Sequence, residues 1–295
     1  MFNRILVALD GSELSESALP YVEELAGALN SEVVLINVCE PGDIEHRHMY
    51  QLYVQKIAEQ VRNHIKAYPA RKANMTTSVK TVVLDGDPAN EIIDYVEKND
   101  ISLIIMASHG RSGIMLWTMG SIATRVTERI NKPVLFIRAS STTKPEVGKG
   151  EIFNKILVPL DGSEVGEAVL PYIKELASKL KPEISLFQVV EPGQHVHTVG
   201  GLSYVAFPEQ EMEALQAKAK RYLKKIGRRL TDTKANIRYE IKAGNPTQEI
   251  IKFADKTDIN LIAISTHELS GSIAHKVLQA GHSPIMLVRT PEVTG

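Results

Sequence analysis

The chain has 295 residues, of which 43% are hydrophobic, and a formal net charge of −1 at pH 7. This length and apolar content fit two compact domains, and the near-zero charge argues against a nucleic-acid partner. Its single cysteine, Cys39, excludes an internal disulfide and suits a reducing compartment. No secretory signal precedes the first apolar run, and no stretch reaches the roughly 18 apolar residues of a membrane span. We therefore expect a cytoplasmic protein without a membrane partner.

One module occurs twice in this chain. FNRILVALDGSE at residues 2–13 and FNKILVPLDGSE at residues 153–164 agree at ten of twelve positions, at an offset of 151 residues. In the middle of each half the offset between matching residues is 158, as for Ser-His at residues 108–109 and Thr-His at residues 266–267. In the closing segments the offset is 151 again. The second copy therefore gains seven residues before its third strand and loses seven after His267. A repeat of this length indicates a duplicated domain.

In chain order, each half alternates short apolar runs with amphipathic stretches. The runs are rich in Val, Ile and Leu without polar alternation, which is typical of strands covered on both faces. In the first half they span residues 5–9, 33–38, 79–84, 103–107 and 134–137, with helical patterns at 13–29, 48–67, 89–99 and 120–130. In the second half they span 156–160, 184–190, 237–241, 261–265 and 285–288. The pattern predicts two α/β domains, each a five-stranded parallel sheet with helices on both faces.

The polar segment at residues 139–150 carries Pro and Gly and is predicted to be a linker between domains at residues 1–138 and 151–295. Pro20 and Pro171 occupy matching places in the first helix of each half, and they predict a shared kink. Residues 208–229 are predicted to form a charged surface helix.

Ligands of open parallel sheets bind outside the carboxyl ends of the strands. Asp10 follows the first strand, where its carboxylate could accept hydrogen bonds from a ribose hydroxyl or an adenine amine. The alternative is that Asp10 or Ser12 only caps the next helix. After the fourth strand, Gly110 permits close approach of a ligand, and Gly120 and Ser121 open a helix whose N–H groups and dipole attract phosphate.

At these residues the chain resembles the universal stress protein family in its tandem-domain form. The resemblance includes ILVALDGS and ILVPLDGS, the Gly-x-Pro after each third strand, and the endings KPVLFIR and SPIMLVR. ATP-binding members carry Gly, two residues, Gly, nine residues, then Gly followed by Ser or Thr. Ala107, Gly110, Gly120 and Ser121 occupy those places, so alanine replaces one glycine. The resemblance implies two tandem Rossmann-like domains of the adenine nucleotide alpha hydrolase-like type.

It also implies an adenine-nucleotide site in the first domain, for ATP, ADP or AMP, with Mg²⁺ as a companion ion of a bound triphosphate. The implied nucleotide-binding residues are Ala8, Leu9, Asp10, Val38, Met106, Ala107, His109, Gly110, Arg111, Gly120, Ser121 and Ile122. A further implication is that the last strand of each half, a predicted sheet edge, pairs with the other to give an intramolecular pseudo-dimer. A homodimer of whole chains is a further expectation.

The second half departs from the motif. Its phosphate loop is shorter, and Glu268 stands where Gly110 stands in the first half. A carboxylate about 4 Å from a phosphate would be repelled by on the order of 4 kcal/mol at an effective dielectric near 20. We therefore expect nucleotide binding mainly in the first domain, with a site for adenosine or a monophosphate left open in the second. The second-domain candidates are Pro159, Leu160, Asp161, Val189, Gly271 and Ser272.

Three function classes remain open. The first is a nucleotide-binding regulatory protein of the stress response, which we favour. The second is a slow ATP hydrolase with His109 near the phosphates, and the third is a scaffold that binds no nucleotide. The sequence lacks GxxxxGK[ST], GxSxG and a GxGxxG after its first strand, so no catalytic residue is assigned. His46, His48, His195 and His197 offer a minor zinc-binding alternative, and no metal ligand is assigned.

Overall fold

The computed structural model describes residues 1–69, 78–108, 119–138, 146–191, 195–199, 202–206 and 209–291. The strands of the first half are β1 (Arg4–Ala8), β2 (Glu32–Cys39), β3 (Val79–Asp85), β4 (Leu103–Ala107) and β5 (Val134–Ile137). Its helices are α1 (Glu13–Glu16), α2 (Leu19–Leu29), α3 (Arg47–Lys66), α4 (Pro88–Lys98) and α5 (Ser121–Arg129). The five strands predicted for this half are confirmed.

The second half repeats this order and adds a hairpin. Its strands are β6 (Lys155–Pro159), β7 (Glu183–Val190), β8 (His195–Val199), β9 (Leu202–Ala206), β10 (Asn236–Ala243), β11 (Leu261–Thr266) and β12 (Ile285–Arg289). Its helices are α6 (Glu164–Glu167), α7 (Leu170–Leu180), α8 (Glu209–Arg228), α9 (Pro246–Lys256) and α10 (Ile273–Ala280). Strands β8 and β9 form a separate antiparallel pair that was not predicted. The α/β class and the predicted surface helix, α8, are confirmed.

Ten strands form one continuous sheet in the order β10-β7-β6-β11-β12-β5-β4-β1-β2-β3. In this sheet, the described pairings between strands of the same half are all parallel. Strands β5 and β12 pair antiparallel, with Phe136 opposite Ile285 and Val134 opposite Leu287. The two predicted five-stranded sheets are thus joined at their last strands, and this pairing satisfies backbone groups that would otherwise lie at two apolar edges. The boundaries assigned to the domains stay a prediction.

The first helix of each half is broken rather than kinked, which corrects the prediction at residues 13–29. Helix α1 ends at Glu16 and α2 begins at Leu19, with Pro20 in its first turn. Pro171 takes the same place in α7. A proline at the start of a helix loses no hydrogen bond, because its missing N–H would have no intrahelical partner there.

Cys39 is buried at the end of β2. The histidines of the first half do not form an extended pair, because His46 ends a 3₁₀ turn and His48 lies in α3. Within the described ranges, no three His, Cys, Asp or Glu side chains are grouped as metal ligands would be. No helix among those residues is long and apolar enough to cross a membrane.

The two halves also pack together through a reciprocal pair of aromatic contacts. Phe2 of the first half packs on Tyr172 of the second, and Tyr21 packs on Phe153, each with ring centroids 5.8 Å apart. Phe2 and Phe153 are 1% and 3% exposed. Both belong to one core cluster with contributions from both halves. The halves therefore share a core on this face of the sheet.

We expect Phe153→Ala to lower the free energy of unfolding by about 3–5 kcal/mol, through lost burial and the cavity left behind. Urea unfolding followed by circular dichroism measures this change. Met49→Ala is the control, because Met49 is 65% exposed. Since Phe153 packs on a residue of the other half, we expect a single unfolding transition that shifts as a whole. Two unfolding transitions of which only one shifts would contradict the shared core.

Candidate functional site

A cleft of about 330 Å³ opens at the carboxyl ends of β1, β2 and β4 and is bounded by α4 and α5. Its volume lies in the range of small-molecule sites. Nine of the twelve residues predicted for the first domain line it: Ala8, Leu9, Asp10, Val38, Met106, Ala107, Gly120, Ser121 and Ile122. The other three, His109, Gly110 and Arg111, lie outside the described residues.

The inner part of the cleft is an apolar slot. Strand β1 lies between β2 and β4, so Val38 and Met106 come together around Ala8 although they are distant in sequence. Ile36 is paired with Ala8 across the strands, and Ile92 of α4 adds to the lining. The resulting slot suits a flat, largely apolar ring.

The backbone after β1 is held in a defined position beside this slot. The Leu9 N–H donates to the Ile36 carbonyl at 2.9 Å, and the buried Asn37 amide donates to the Leu9 carbonyl at 2.8 Å. One oxygen of Asp10 accepts hydrogen bonds from the Ser12 N–H at 2.9 Å and from its hydroxyl at 2.5 Å. Ser12 in turn caps α1 by accepting the Ser15 N–H at 3.1 Å. Asp10 therefore supports the cap and also lines the cleft.

The outer end of the cleft contains the beginning of α5. Gly120 is its N-cap residue, and the described residues supply no capping side chain there. Gly120 donates its own N–H to the Ser108 carbonyl at 2.9 Å, while the following residues 121–123 line the cleft. The first N–H groups of a helix have no intrahelical partners and attract anions. This end of the cleft is therefore suited to a negatively charged group.

Several lining residues were not predicted. They are Ser15, Ile36, Glu40, Asp43, Tyr50, Pro88, Ile92, Ser108 and Ala123. Ile36 could have been found, because it shares a face of β2 with Val38 by strand alternation. Asp43 and Tyr50 follow β2, and the Tyr50 hydroxyl donates to Asp43 Oδ2 at 3.1 Å. No periodic pattern relates these two residues to the strands, so only the tertiary structure reveals their position.

The corresponding helix start in the second half is closed by its own side chains. Ser272 caps α10, accepting the His275 N–H at 3.1 Å and donating to the Leu269 carbonyl at 2.8 Å. Leu269 itself is buried in the core. The Thr266 hydroxyl donates to the Glu268 carbonyl at 2.5 Å. Ser272 thus satisfies one of the N–H groups at this helix start, where the described residues of the first half supply no such cap.

The inner part of the second half is filled as well. Phe187 occupies the place of Ile36 and packs on Phe253 with ring centroids 5.0 Å apart. Ser265 occupies the place of Ala107, and its hydroxyl oxygen lies 2.6 Å from the Val165 carbonyl oxygen in α6. A side chain therefore bridges β11 and α6, whereas Ala107 has no hydroxyl with which to make this hydrogen bond in the first half.

The six second-domain candidates have these positions. Pro159 ends β6, Leu160 follows it and is buried, and Val189 lies in β7. Gly271 has φ +71°, and Ser272 after it caps α10. Asp161 accepts hydrogen bonds from the Ser163 N–H at 2.9 Å and from the Ser163 hydroxyl at 2.7 Å. A second cavity, between α9 and α10, is lined by none of them. Asp161 thus repeats the capping contact of Asp10, and it lines neither of the two cavities described here.

Comparison with known families assigns the chain. The model of the universal stress protein family matches residues 1–138 and again residues 153–289. The chain belongs to the universal stress protein family. Both matches together span most of its length, and they confirm the tandem arrangement that the repeat predicts.

Individual relatives agree with this assignment. A universal stress protein of Methanocaldococcus jannaschii is 26% identical over 159 residues, which are 48% of this chain and 98% of the relative. The universal stress protein YxiE of Bacillus subtilis is 28% identical over 148 residues, 47% of this chain and 100% of the relative. A solved universal stress protein of Archaeoglobus fulgidus has a TM-score of 0.70 at 18% identity and covers 98% of this chain and 99% of its own. This last likeness shows the fold, in which two universal stress protein domains follow one another.

In the first of these universal stress protein repeats, an ion pair ties the two helices that bound the cleft. Arg125 of α5 donates to both oxygens of Asp87, at 2.9 and 2.8 Å, and to Asn90 at 3.0 Å. Asp87 also caps α4 by accepting the Asn90 N–H. The hydrogen bonds from Arg125 lower the pKa of the Asp87 carboxyl below its ordinary value, and the hydrogen bond from the Asn90 N–H lowers it further. In the second repeat Asn245 takes the place of Asp87 and keeps only the cap.

We expect Asp87→Asn to lower stability slightly at pH 7, because asparagine keeps the cap and loses an exposed ion pair. The Asp87 pKa is lowered in the folded state, so the ion pair stabilises the protein above the ordinary carboxyl pKa of 3.8 and is lost as pH falls through the folded value. Urea unfolding of both proteins from pH 7 to pH 3 measures the difference, which should shrink towards zero in acid. A difference that grows in acid would contradict this sign.

Proposed function

We propose that the first half binds an adenine nucleotide in this cleft and that the protein acts as a nucleotide-dependent regulator in the stress response. The observation that carries the proposal is the combination, in one cleft, of an apolar slot with a helix start that no described side chain caps. The slot beside Ala8, Val38 and Met106 would hold the adenine ring. The first N–H groups of α5 would hold phosphate.

The carboxylates of the cleft fit the remaining part of such a ligand. Asp10, Glu40 and Asp43 follow β1 and β2, whereas the anion-attracting N–H groups belong to α5. Ribose hydroxyls and the adenine amine donate hydrogen bonds, and carboxylates accept them. A nucleotide would therefore place its donors towards the strand ends and its phosphates towards α5. The contacts expected of His109, Gly110 and Arg111, and a role for Mg²⁺, rest on the family resemblance alone.

The second half is proposed not to bind a triphosphate. Its helix start is capped by Ser272, Phe187 fills the base position, and Glu268 replaces the glycine of the motif. We infer a division of labour, in which the second half supports the first through the joined sheet, as an intramolecular pseudo-dimer. The cytoplasm is the compartment that we propose for this regulator, on the basis of its one buried thiol.

Titration calorimetry with ATP tests the proposal. We expect one site per chain, and we expect Asp10→Ala to weaken binding because it removes a carboxylate that lines the cleft. Asp161→Ala is the matched control. Each substitution removes the same contact to a capping serine and should cost similar stability, but only Asp10 lies in the described cleft.

Two equal sites per chain would contradict the division of labour. Equal losses of affinity in both variants would contradict the placement of the ligand. No binding at all, together with no nucleotide copurifying with the protein, would favour the scaffold. Phosphate release in single-turnover experiments, absent in Asp10→Ala, would favour the hydrolase.

A second substitution tests the slot directly. Ile36→Phe introduces into the first half the side chain found at this place in the second, and we expect it to weaken ATP binding by about tenfold or more, because the larger ring takes up space that the base would occupy. Phe187→Ile makes the reverse exchange and should leave ATP affinity unchanged. An Ile36→Phe variant that binds ATP normally would show that the base lies elsewhere.

A further inference from the structure

Two arginines form the same contact in opposite directions across the junction of the halves. Arg289, which ends β12, donates to the Thr127 carbonyl at 3.0 Å and to the Glu128 carbonyl, both near the end of α5. Arg138, which follows β5, donates to the Gln279 carbonyl at 2.7 Å and to the Leu278 carbonyl, both in the last turn of α10. Donors and acceptors correspond at the repeat offset of 151 residues. Each half therefore holds the last turn of a helix in the other.

The contact is favourable for a general reason. The last carbonyl groups of a helix have no intrahelical partners and carry the negative end of the helix dipole. A guanidinium can donate to two of them at once, because its donors are fixed in a planar fork. The Nε atoms of both arginines are buried and have no hydrogen-bond partner among the described residues. The side chains are thus inserted into the junction rather than lying on its surface.

The helix held by Arg289 is the one that opens on the cleft. Helix α5 has nine residues, so its two ends are separated by about 13 Å. Its first residues line the cleft, and its last turn is bound by Arg289. Along its side, Arg125 ties it to the start of α4. The N–H groups at the cleft therefore move with a rigid element whose far end is held by the other half.

We infer that Arg289 of the second half is a positioning residue for the nucleotide cleft of the first half. The inference rests on the proposed function for the identity of the ligand. Arg289 itself does not line the cleft. It sets the place of the α5 N–H groups through the helix, so a second half that binds no triphosphate still contributes to nucleotide affinity.

Arg138 provides a matched control. It makes the same kind of contact with α10, whose start is capped by Ser272 and lies in the other half. Loss of either arginine should have a similar effect on the junction and on overall stability. Only the loss of Arg289 should affect the first-half cleft.

The test compares Arg289→Met and Arg138→Met in the full chain, since methionine keeps an apolar stem and removes the charge. For Arg289→Met we expect ATP affinity in calorimetry to fall by roughly threefold to tenfold, the size typical of a residue that acts through another element. We also expect faster amide hydrogen exchange at residues 124–126, whose N–H groups make the first intrahelical hydrogen bonds of α5, beginning with the Thr124 N–H to the Gly120 carbonyl. Arg138→Met should leave both unchanged and should speed exchange in α10. Arg289→Lys should restore only part of the affinity, because lysine lacks the planar fork.

Three results would overturn the inference. Unchanged exchange at residues 124–126 in Arg289→Met would show that Arg289 does not hold the first turn of α5, whatever happens to ATP binding. Equal losses of affinity in both methionine variants would show a general effect of the weakened junction. Unchanged ATP affinity in Arg289→Met would show that the cleft does not depend on it. If the unsubstituted chain binds no ATP, the proposed function fails, and the exchange measurement still decides whether Arg289 positions α5.

Discussion

The antiparallel pairing of β5 with β12 is the interaction on which the rest of the structure depends. Each half ends in a short apolar strand, and such a strand with an unpaired edge invites association. Pairing the two edges creates a ten-stranded sheet. It also brings Phe2 and Phe153 into a shared core on one face and places Arg138 and Arg289 against helix ends. The junction is therefore both a source of stability and a physical connection between the first-half cleft and the second half.

The two halves show how few changes separate an open cleft from a closed one. Replacing isoleucine by Phe187 fills the slot, and replacing alanine by Ser265 bridges a strand to a helix. In the shortened loop, Ser272 caps α10 by accepting the His275 N–H. None of these changes affects the strand order, because the strands are matched by their apolar faces and not by the residues at their ends. Fold and ligand site can therefore diverge independently after duplication.

Much of the architecture was predictable because its signals are local. The continuous apolar runs predicted all ten strands of the main sheet, and the matched prolines predicted an irregularity in the first helix of each half. The irregularity is a break, since Pro20 sits in the first turn of a new helix, where its missing N–H costs nothing. The hairpin of β8 and β9 was missed, because its short segment HVHTVGGLSYVA lies inside a loop of the repeat pattern. Nine residues that the family resemblance implied line the cleft, whereas Asp43 and Tyr50 were missed, because they follow β2 without a periodic relation to it.

The sequence by itself determined the duplication, the α/β class and the shortening of the loop after the fourth strand in the second half, since each depends on residue type and spacing along the chain. Only the tertiary structure decided which side chains share the cleft, how Ser265 and Phe187 close its counterpart, and that Arg289 holds the far end of α5. These relations join residues up to 162 positions apart. Contacts over such distances depend on strand order and sheet pairing, and no local pattern in the sequence records them.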